Sequence, residues 1–398
     1  MSAIKQNNGY NVQLEGLRGL CAIMVFIFHV LGFGTFGIDT VAGIKFIMRL
    51  QFANAAVLIF FIISGYVIGI SHIHENLTLL NLKAYLKKRF IRLYPIYLFS
   101  LLLCVVLDPR SFSLPQIIGH LFFLQEFVVK TLNINGPLWS LGYEFFYYLL
   151  FIIIWAFNNR SKNIYLGIAF CVLCLSLIGH DNNCLRSFCI GWIFWLSGLY
   201  IARLPVNVSQ VNYKPFLSYW LLLLATIQLD SGNFFLQVLH LSYDGFQRII
   251  VRDMMYLPIC LVLLLILTKR HFPYLRYLLV IAYGIPIMNI IGLLYLKHDI
   301  GSVENWIYGI AFLGVSVMLL KVNINSDYFK KLAGVGKISY AIYILHFPIV
   351  SFLNAYLARY LSGISLITTG LVLTVALTYS LSYLIELRLQ PRIKHFFS

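Results

Sequence analysis

The sequence predicts an all-α protein built as a polytopic bundle of transmembrane helices. Of its 398 residues, 60% are hydrophobic and only 11% are charged, whereas soluble domains are roughly half apolar and a quarter charged. Apolar runs close to the roughly 20 residues that cross a bilayer recur from Leu17 to Leu387. A soluble fold is therefore excluded, and we expect a single integral-membrane domain over residues 1–398 with ten to twelve spans.

Twelve apolar runs are the candidate spans, and the positive charges between them predict their orientation. With the N-terminus inside, twenty of the thirty Lys and Arg residues fall on inner segments and nine on outer segments. The positive-inside rule therefore predicts that both termini are cytoplasmic. The candidate spans cover 17–36, 52–71, 92–107, 138–157, 164–179, 187–203, 215–229, 253–268, 275–296, 303–320, 338–358 and 365–387.

The net charge is +16, and its basic residues lie mostly at the ends of the predicted helices, where membrane topology and anionic lipid head groups explain them. Binding of nucleic acid is not needed to explain this charge. We therefore expect membrane lipids among the partners and no nucleic acid. No cleavable signal peptide and no appended soluble domain are expected, because residues 1–13 are polar and the first apolar run continues into further spans. The segment 108–137 is too long for a tight turn, and its apolar stretch Leu121–Val129 suits a surface or re-entrant position at an outer substrate mouth.

The first span carries two ionisable residues, Arg18 and His29. Their separation of eleven residues is close to three helical turns, so both lie on one face, roughly 16 Å apart along the axis. Ionisable groups inside a membrane are costly and usually face a cavity, and a neutral imidazole can accept a proton. His29 is therefore a candidate catalytic base, and the alternative is a histidine that makes one structural hydrogen bond to another helix.

The second span contains Ser64 and Gly65, for which close helix packing is the first interpretation. The surrounding Ile-Ser-Gly-Tyr is not the Gly-x-Ser-x-Gly turn of serine hydrolases, so we reject that chemistry. The sequence also contains no Walker A motif, no His-Glu-x-x-His motif and no ordered Cys/His spacing, so no metal and no nucleotide hydrolysis are expected. The seven cysteines are interpreted as packing residues.

A basic segment precedes the third span, and within it Arg89 and Arg92 are spaced i,i+3 on a predicted helix. That spacing can direct two guanidinium groups at the same anion, which favours a cosubstrate that carries phosphates on the cytoplasmic side. The alternative is a cluster of charges that only fixes the topology of the span.

Two further spans place polar groups in apolar surroundings. Glu144 lies near the start of one span with Trp139 and Tyr147 close by, which suits an acid, a base or a partner that orients His or Arg. Its alternative is a structural hydrogen bond to another helix. Near the C-terminus, one helix face carries Ser339, Tyr343 and His346 at i, i+4 and i+7, and such a polar stripe normally lines an interior or a cavity. These residues appear in the sequence as Ile338-Ser-Tyr-Ala-Ile-Tyr-Ile-Leu-His346.

Taken together, these segments resemble the acyltransferase-3 family of integral membrane acyltransferases, which O-acetylate bacterial surface polysaccharides and related glycans. Their order over residues 14–348 carries the resemblance. Phe145 stands where members often have a second acidic residue, so a pair of carboxylates is not expected there. The matching positions are Glu15-Gly-Leu-Arg-Gly19 with His29, Ser64-Gly65, Arg89-x-x-Arg92 followed by Leu-Tyr-Pro95, Leu138-Trp-Ser-Leu-x-x-Glu144 and Ser339-Tyr-x-x-Tyr-x-x-His346.

The resemblance implies an O-acetyltransferase of the bacterial inner membrane that uses acetyl-CoA as cosubstrate. Arg89 and Arg92 would hold its phosphates, while His29 would deprotonate the acceptor hydroxyl or carry the acetyl group itself. Arg18 would bind CoA or orient Glu15. Glu144 and His346 are implied as catalytic residues on the acceptor side. The remaining residues implied to line the substrate are Glu15, Ser64, Trp139, Ser339 and Tyr343.

The acceptor implied is a glycan or lipid-linked sugar, with lipopolysaccharide O-antigen first and exopolysaccharide or capsule next. The protein would act alone or hand acyl groups to a separate periplasmic partner. A proton-coupled secondary transporter or flippase for a lipid-linked glycan is the main alternative, because buried His, Glu and Arg in a many-span bundle also describe such carriers. An unrelated membrane-bound O-acyltransferase and a scaffolding protein are the weaker alternatives.

Overall fold

The structure is a computed structural model that describes most of the chain. The described residues are 11–31, 34–41, 50, 52–72, 75–157, 162–178, 183–206, 215–238, 248–296, 303–322 and 328–397. Within them the backbone is helical and no β-strand forms, which confirms the predicted all-α class.

Sixteen α-helices are numbered here along the described chain. They are α1 Val12–Leu31, α2 Ala53–His72, α3 Leu79–Leu107, α4 Leu114–Leu121, α5 Trp139–Ala156, α6 Lys162–Ile178, α7 Asn183–Ala202, α8 Phe216–Gln228, α9 Ser231–Val238, α10 Leu257–Thr268, α11 Leu275–Leu296, α12 Val303–Leu319, α13 Tyr328–Gly336, α14 Ser339–Leu357, α15 Gly363–Tyr383 and α16 Gln390–Phe397. Three 3₁₀ helices cover Thr35–Thr40, Asn133–Leu138 and Val251–Tyr256, and a π-helical turn covers Leu384–Leu389.

Each of the twelve predicted runs overlaps one of these helices, but fewer of them can cross a membrane. Nine helical stretches of the described chain are long and apolar enough, and α8 with α9 makes a tenth if the bent pair is one span. The bend of 53° falls at Asp230, whose φ of 49° is left-handed and incompatible with a continuous helix. The nine or ten spans of the described residues therefore reach only the lower end of the predicted ten to twelve. The cytoplasmic location of both termini stays a prediction.

The segment 108–137 forms a short helix, a compact turn and a 3₁₀ helix. Helix α4 has only 8 residues, too few to cross a bilayer, and Ser113 accepts a hydrogen bond from the Gln116 N–H at its start. In the following turn Phe123 is buried, whereas Phe122 and Val128 are exposed. Its position on or in the membrane stays a prediction.

The contacts divide the chain into two compact units. Unit 1 consists of Met1–Leu17, Val57–Glu75 and Asn159–Ala333, and unit 2 consists of Arg18–Ala56, Asn76–Asn158 and Gly334–Ser398. In unit 1, α6 packs on α7, α8 on α12 and α10 on both α8 and α11. In unit 2, α14 packs on α15, on α3 and on the 3₁₀ helix Asn133–Leu138, while α16 packs on α3.

Within unit 1, α2 and α7 approach each other through glycine. A Cβ atom on Gly65 would lie 1.9 Å from the Trp195 carbonyl oxygen, and one on Gly198 would lie 1.9 Å from the Ile62 carbonyl oxygen. Because backbone atoms occupy the space on both sides, neither contact can be relieved by a side-chain rotation. The predicted packing role of the Ser64-Gly65 pair is confirmed at Gly65.

We expect Gly65→Ala and Gly198→Ala to destabilise the protein by about 3 kcal/mol or more, above the usual range for an extra methyl group in a core, because backbone must move. Thermal unfolding of the detergent-purified protein measures the effect. Gly314→Ala is the matched control, because a Cβ there meets nothing within 4 Å. Equal unfolding temperatures for the three variants would contradict the close approach.

Candidate functional site

Two histidines from distant parts of the chain meet in unit 2. His29 lies near the end of α1 and His346 lies in the second turn of α14, and His346 Nε2 is 3.0 Å from His29 Nδ1. The ring centroids are 5.0 Å apart. His346 is fully buried, whereas His29 keeps part of its surface exposed. The sequence named both residues as candidates, but nothing in it predicted their direct contact.

The hydrogen bonds of this histidine pair fix where its protons lie when both rings are neutral. His346 Nδ1 is 2.8 Å from the Ile342 carbonyl oxygen, which can only accept, so this nitrogen carries the proton. His346 Nε2 then holds a lone pair and accepts the hydrogen bond from His29 Nδ1. It follows that the lone pair of His29 is on Nε2, the nitrogen with which an imidazole can take a proton or attack a carbon.

Aromatic rings surround the pair. The rings of Phe28 and Phe347 form T-shaped pairs with His29 at centroid distances of 5.5 and 5.1 Å, and the Phe26 ring centroid lies 6.0 Å from that of His346. An apolar wall of this kind limits water around the two imidazoles and strengthens polar interactions within it. The surroundings therefore suit a proton transfer that must be separated from solvent.

Helix α14 is held in place by the 3₁₀ helix that precedes α5. The Asn135 side-chain amide donates to the Ile344 carbonyl oxygen at 2.9 Å and to the Ser100 hydroxyl at 3.0 Å. The Tyr343 hydroxyl is 2.8 Å from Ser140 Oγ and 3.3 Å from the Pro137 carbonyl oxygen, to which it donates. These buried contacts are made at Tyr343 and Ile344, within one helical turn before His346, so they fix the position of this turn of α14.

The three predicted lining residues of unit 2 are interior side chains. Trp139, Ser339 and Tyr343 are all buried, and the Trp139 ring packs edge-on against Tyr143. Tyr343 contributes its hydroxyl to the support of α14. Contact of the three with a substrate stays a prediction.

Glu144 belongs to a cluster that contains Arg89. The Tyr148 hydroxyl donates to Glu144 Oε1 at 2.5 Å, one turn along α5. The Arg89 guanidinium carbon lies 5.6 Å from the centroids of both the Tyr148 and the Tyr85 rings. The Tyr85 hydroxyl in turn donates to the Tyr148 carbonyl oxygen at 2.9 Å. These contacts associate Glu144 with the basic segment, and its predicted place beside the acceptor stays a prediction.

A cavity of about 660 Å³ opens beside the basic segment of α3. Arg89 and Arg92 both line it, as their i,i+3 spacing predicts, and Gln390 and Lys394 of α16 line it from the other end of the chain. This volume is within the usual range of small-molecule sites. The residues that line it are Ala84, Lys87, Lys88, Arg89, Ile91, Arg92, Gln390, Pro391 and Lys394. Five of them are cationic, so the cavity suits an anion with several charges.

The other predicted residues lie in two places. Arg18 is on α1 in unit 2, eleven residues before His29 on the same continuous helix, which confirms their predicted alignment along about three turns. Glu15 and Ser64 are assigned to unit 1.

A third histidine of unit 2, His120, is structural. Its Nδ1 donates to the Gln116 carbonyl oxygen at 2.8 Å, and its Nε2 accepts the Leu132 N–H at 3.3 Å. Both nitrogens are thus used in the neutral form, and burial lowers the pKa of the His120 imidazole below its usual value. The sequence analysis did not single it out, because its partners are backbone groups that no motif reveals.

This neutral histidine predicts a loss of stability in acid. The unfolded chain binds a proton at His120 as the pH falls through about 6.5, whereas the folded protein resists it, so stability is present above that pH and is lost below it. We expect the difference in unfolding temperature between wild type and His120→Gln to shrink from pH 7.5 to pH 5.5. Because all other groups are shared, a constant difference would contradict a neutral buried His120.

The chain is similar in sequence to known acyltransferases. Residues 11–320 match the family model of the acyltransferase domain called Acyl_transf_3, a region that includes His29, Arg89 and Glu144 but ends before His346. Acyltransferase MdmB from Streptomyces mycarofaciens is 27% identical over 149 residues, which cover 35% of this chain and 37% of the relative. No solved structure matches.

The family match extends over well more than half of the chain, and nine of the described helical stretches are able to cross a membrane. The chain therefore belongs to the acyltransferase-3 family.

Proposed function

We propose that this protein moves an acetyl group from cytoplasmic acetyl-CoA to a hydroxyl of a cell-surface glycan, such as lipopolysaccharide O-antigen or exopolysaccharide, at the bacterial inner membrane. The observation that carries the proposal is the pair of histidines, in which His346 directs the lone pair of His29 to Nε2. An acyl transfer to a hydroxyl needs a base or a nucleophile of this kind.

The cationic cavity supports the choice of donor. Coenzyme A carries a 3′-phosphate and a diphosphate, and Arg89 and Arg92 on one face of α3 can each make charge-assisted hydrogen bonds to phosphate oxygens. The rings of Tyr85 and Tyr148 orient Arg89, and Glu144 acts through Tyr148 as a positioning residue. Arg18 contributes a further cation that binds coenzyme A.

The reaction can follow either of two routes through His29. As a base, Nε2 takes the proton of the acceptor hydroxyl while the hydroxyl oxygen attacks the thioester carbon. The C–S bond then breaks, and the proton passes from Nε2 to the coenzyme A thiolate. As a nucleophile, Nε2 attacks the thioester carbon first and releases the thiolate. The acceptor oxygen then attacks the acetyl carbon, the bond between this carbon and Nε2 breaks, and the hydroxyl proton passes to the coenzyme A thiolate. Both routes give an acetyl ester and free coenzyme A.

The acceptor is proposed to approach the exposed side of His29. Trp139, Ser339 and Tyr343 are proposed to line or support its site. A separate periplasmic partner receives the acetyl group if the final glycan is modified outside the membrane.

Transfer of isotopically labelled acetyl groups tests this function. Membranes that contain the protein, and matched membranes without it, are incubated with labelled acetyl-CoA and candidate glycans while free coenzyme A is measured. We expect label in an alkali-labile glycan ester together with an equal amount of released coenzyme A. Movement of a glycan across the membrane without release of coenzyme A would instead identify a transporter.

A further inference from the structure

The cationic cavity has walls from two ends of the sequence. Most of its residues come from α3, within the region that the family model matches, whereas Gln390, Pro391 and Lys394 come from α16, beyond residue 320. Residues of α16 are thus placed where they can contact an anion bound in the cavity.

Two hydrogen bonds hold the C-terminal helical segment against its neighbours in unit 2. Glu386 Oε2 accepts the Ala341 N–H at 2.9 Å, in the first turn of α14. The Gln390 side chain donates to the Arg92 carbonyl oxygen at 2.8 Å. Lys394 follows Gln390 by four residues, so it lies on the same face of α16, and it reaches the cavity. The π-helical turn Leu384–Leu389 precedes α16 and sets this face.

The charges of the cavity call for an anion. Lys87, Lys88, Arg89 and Arg92 line it from α3 and Lys394 lines it from α16, and its described lining residues include no carboxylate. Lys394 adds a fifth cation to the four from α3, and such a concentration of positive charge attracts an anion that carries several negative charges. The hydrogen bond from the Gln390 side chain to the Arg92 carbonyl oxygen holds α16 beside the cavity despite the repulsion between the cations.

We propose that α16 is a wall of the donor site and that Lys394 binds a phosphate ester of coenzyme A. This inference rests on the proposed function. Phosphate esters also occur in lipid head groups, so the experiment must distinguish binding of soluble coenzyme A from binding of an anionic lipid.

Binding of coenzyme A to the purified full-length protein, in discs of zwitterionic lipid, is the measurement. We expect Lys394→Gln to weaken binding by about three- to fivefold at low salt, the range of an exposed ion pair, and Lys394→Arg to restore it. Arg392→Gln is the matched control, because Arg392 is an exposed cation of the same helix that does not line the cavity. In transfer assays, Lys394→Gln should raise the KM for acetyl-CoA and leave kcat unchanged.

The outcomes separate this inference from the proposed function. If wild type binds no coenzyme A, the proposed donor is wrong. If wild type binds it and Lys394→Gln and Arg392→Gln bind equally well, only the role of α16 is overturned. If Lys394→Gln leaves coenzyme A binding intact but weakens binding of short-chain phosphatidylglycerol, Lys394 binds a lipid phosphate. That result would also overturn the proposal that Lys394 binds coenzyme A.

Discussion

Replacing His29 with alanine is expected to lower acetyl transfer by at least about 10²-fold, because general-base catalysis contributes roughly 10²- to 10⁴-fold and no second residue at the pair offers the same lone pair. His346 cannot substitute, since its Nδ1 donates to Ile342 and its Nε2 is turned toward His29. The measurement is labelled acetyl transfer in membranes at matched expression of wild type and His29→Ala. Retained transfer by a well-folded His29→Ala protein would remove His29 from the mechanism.

The same variant separates the two routes through His29. Purified protein is mixed with labelled acetyl-CoA in the absence of an acceptor and is then quenched. A nucleophilic His29 leaves label on wild type, in a form released by hydroxylamine, and none on His29→Ala. A general base leaves no label on either protein, although transfer still requires His29 when acceptor is present.

A folding control is available at His72, a buried histidine at the end of an apolar helix that is long enough to cross the membrane. Its Nδ1 pairs with Glu75 at 2.7 Å, and we propose no catalytic role for it. Loss of transfer in His29→Ala but not in His72→Ala shows that the effect does not come from the removal of an imidazole in general.

The features that the sequence predicted well are those that depend on neighbouring residues. Hydropathy located the helices, because each apolar run is one continuous segment. Arg89 and Arg92 were expected to share a site because three residues separate them on a helix, and both line one cavity. The Arg18–His29 alignment likewise follows from helical geometry within α1.

The features that the sequence did not predict depend on how distant helices pack. The contact between His29 and His346 joins residues 317 positions apart, and Lys394 lines the same cavity as Arg92 across a similar distance in sequence. The cluster of Glu144 with Arg89 also required the placement of α5 beside α3, which the Tyr85 hydrogen bond shows. The bend at Asp230 was missed because hydropathy measures the apolar character of a run and not its straightness.

Removing the acceptor atom of His346 is expected to lower kcat by about 10²-fold while the KM for acetyl-CoA stays unchanged. Without His346 Nε2, the His29 ring loses one of the contacts that fix its tautomer and its orientation, beside its backbone hydrogen bond to Val25. A misplacement of about 1 Å at a reacting group can cost about 10²-fold in rate. The resemblance implied a catalytic role for His346; from its contact with His29 we infer a positioning role, comparable to that of the group that orients the histidine of a catalytic triad.

Two substitutions of similar volume make this prediction specific. In His346→Gln, the side-chain carbonyl oxygen can accept the proton of His29 Nδ1, so part of the activity should return. In His346→Phe, the aromatic packing against Phe26 is kept but no acceptor remains. Because both variants fill the buried space, unfolding temperatures report on packing and kcat reports on the hydrogen bond. Equal kcat values for His346→Gln and His346→Phe, at equal stability, would mean that His346 supports the helix bundle and not the orientation of His29.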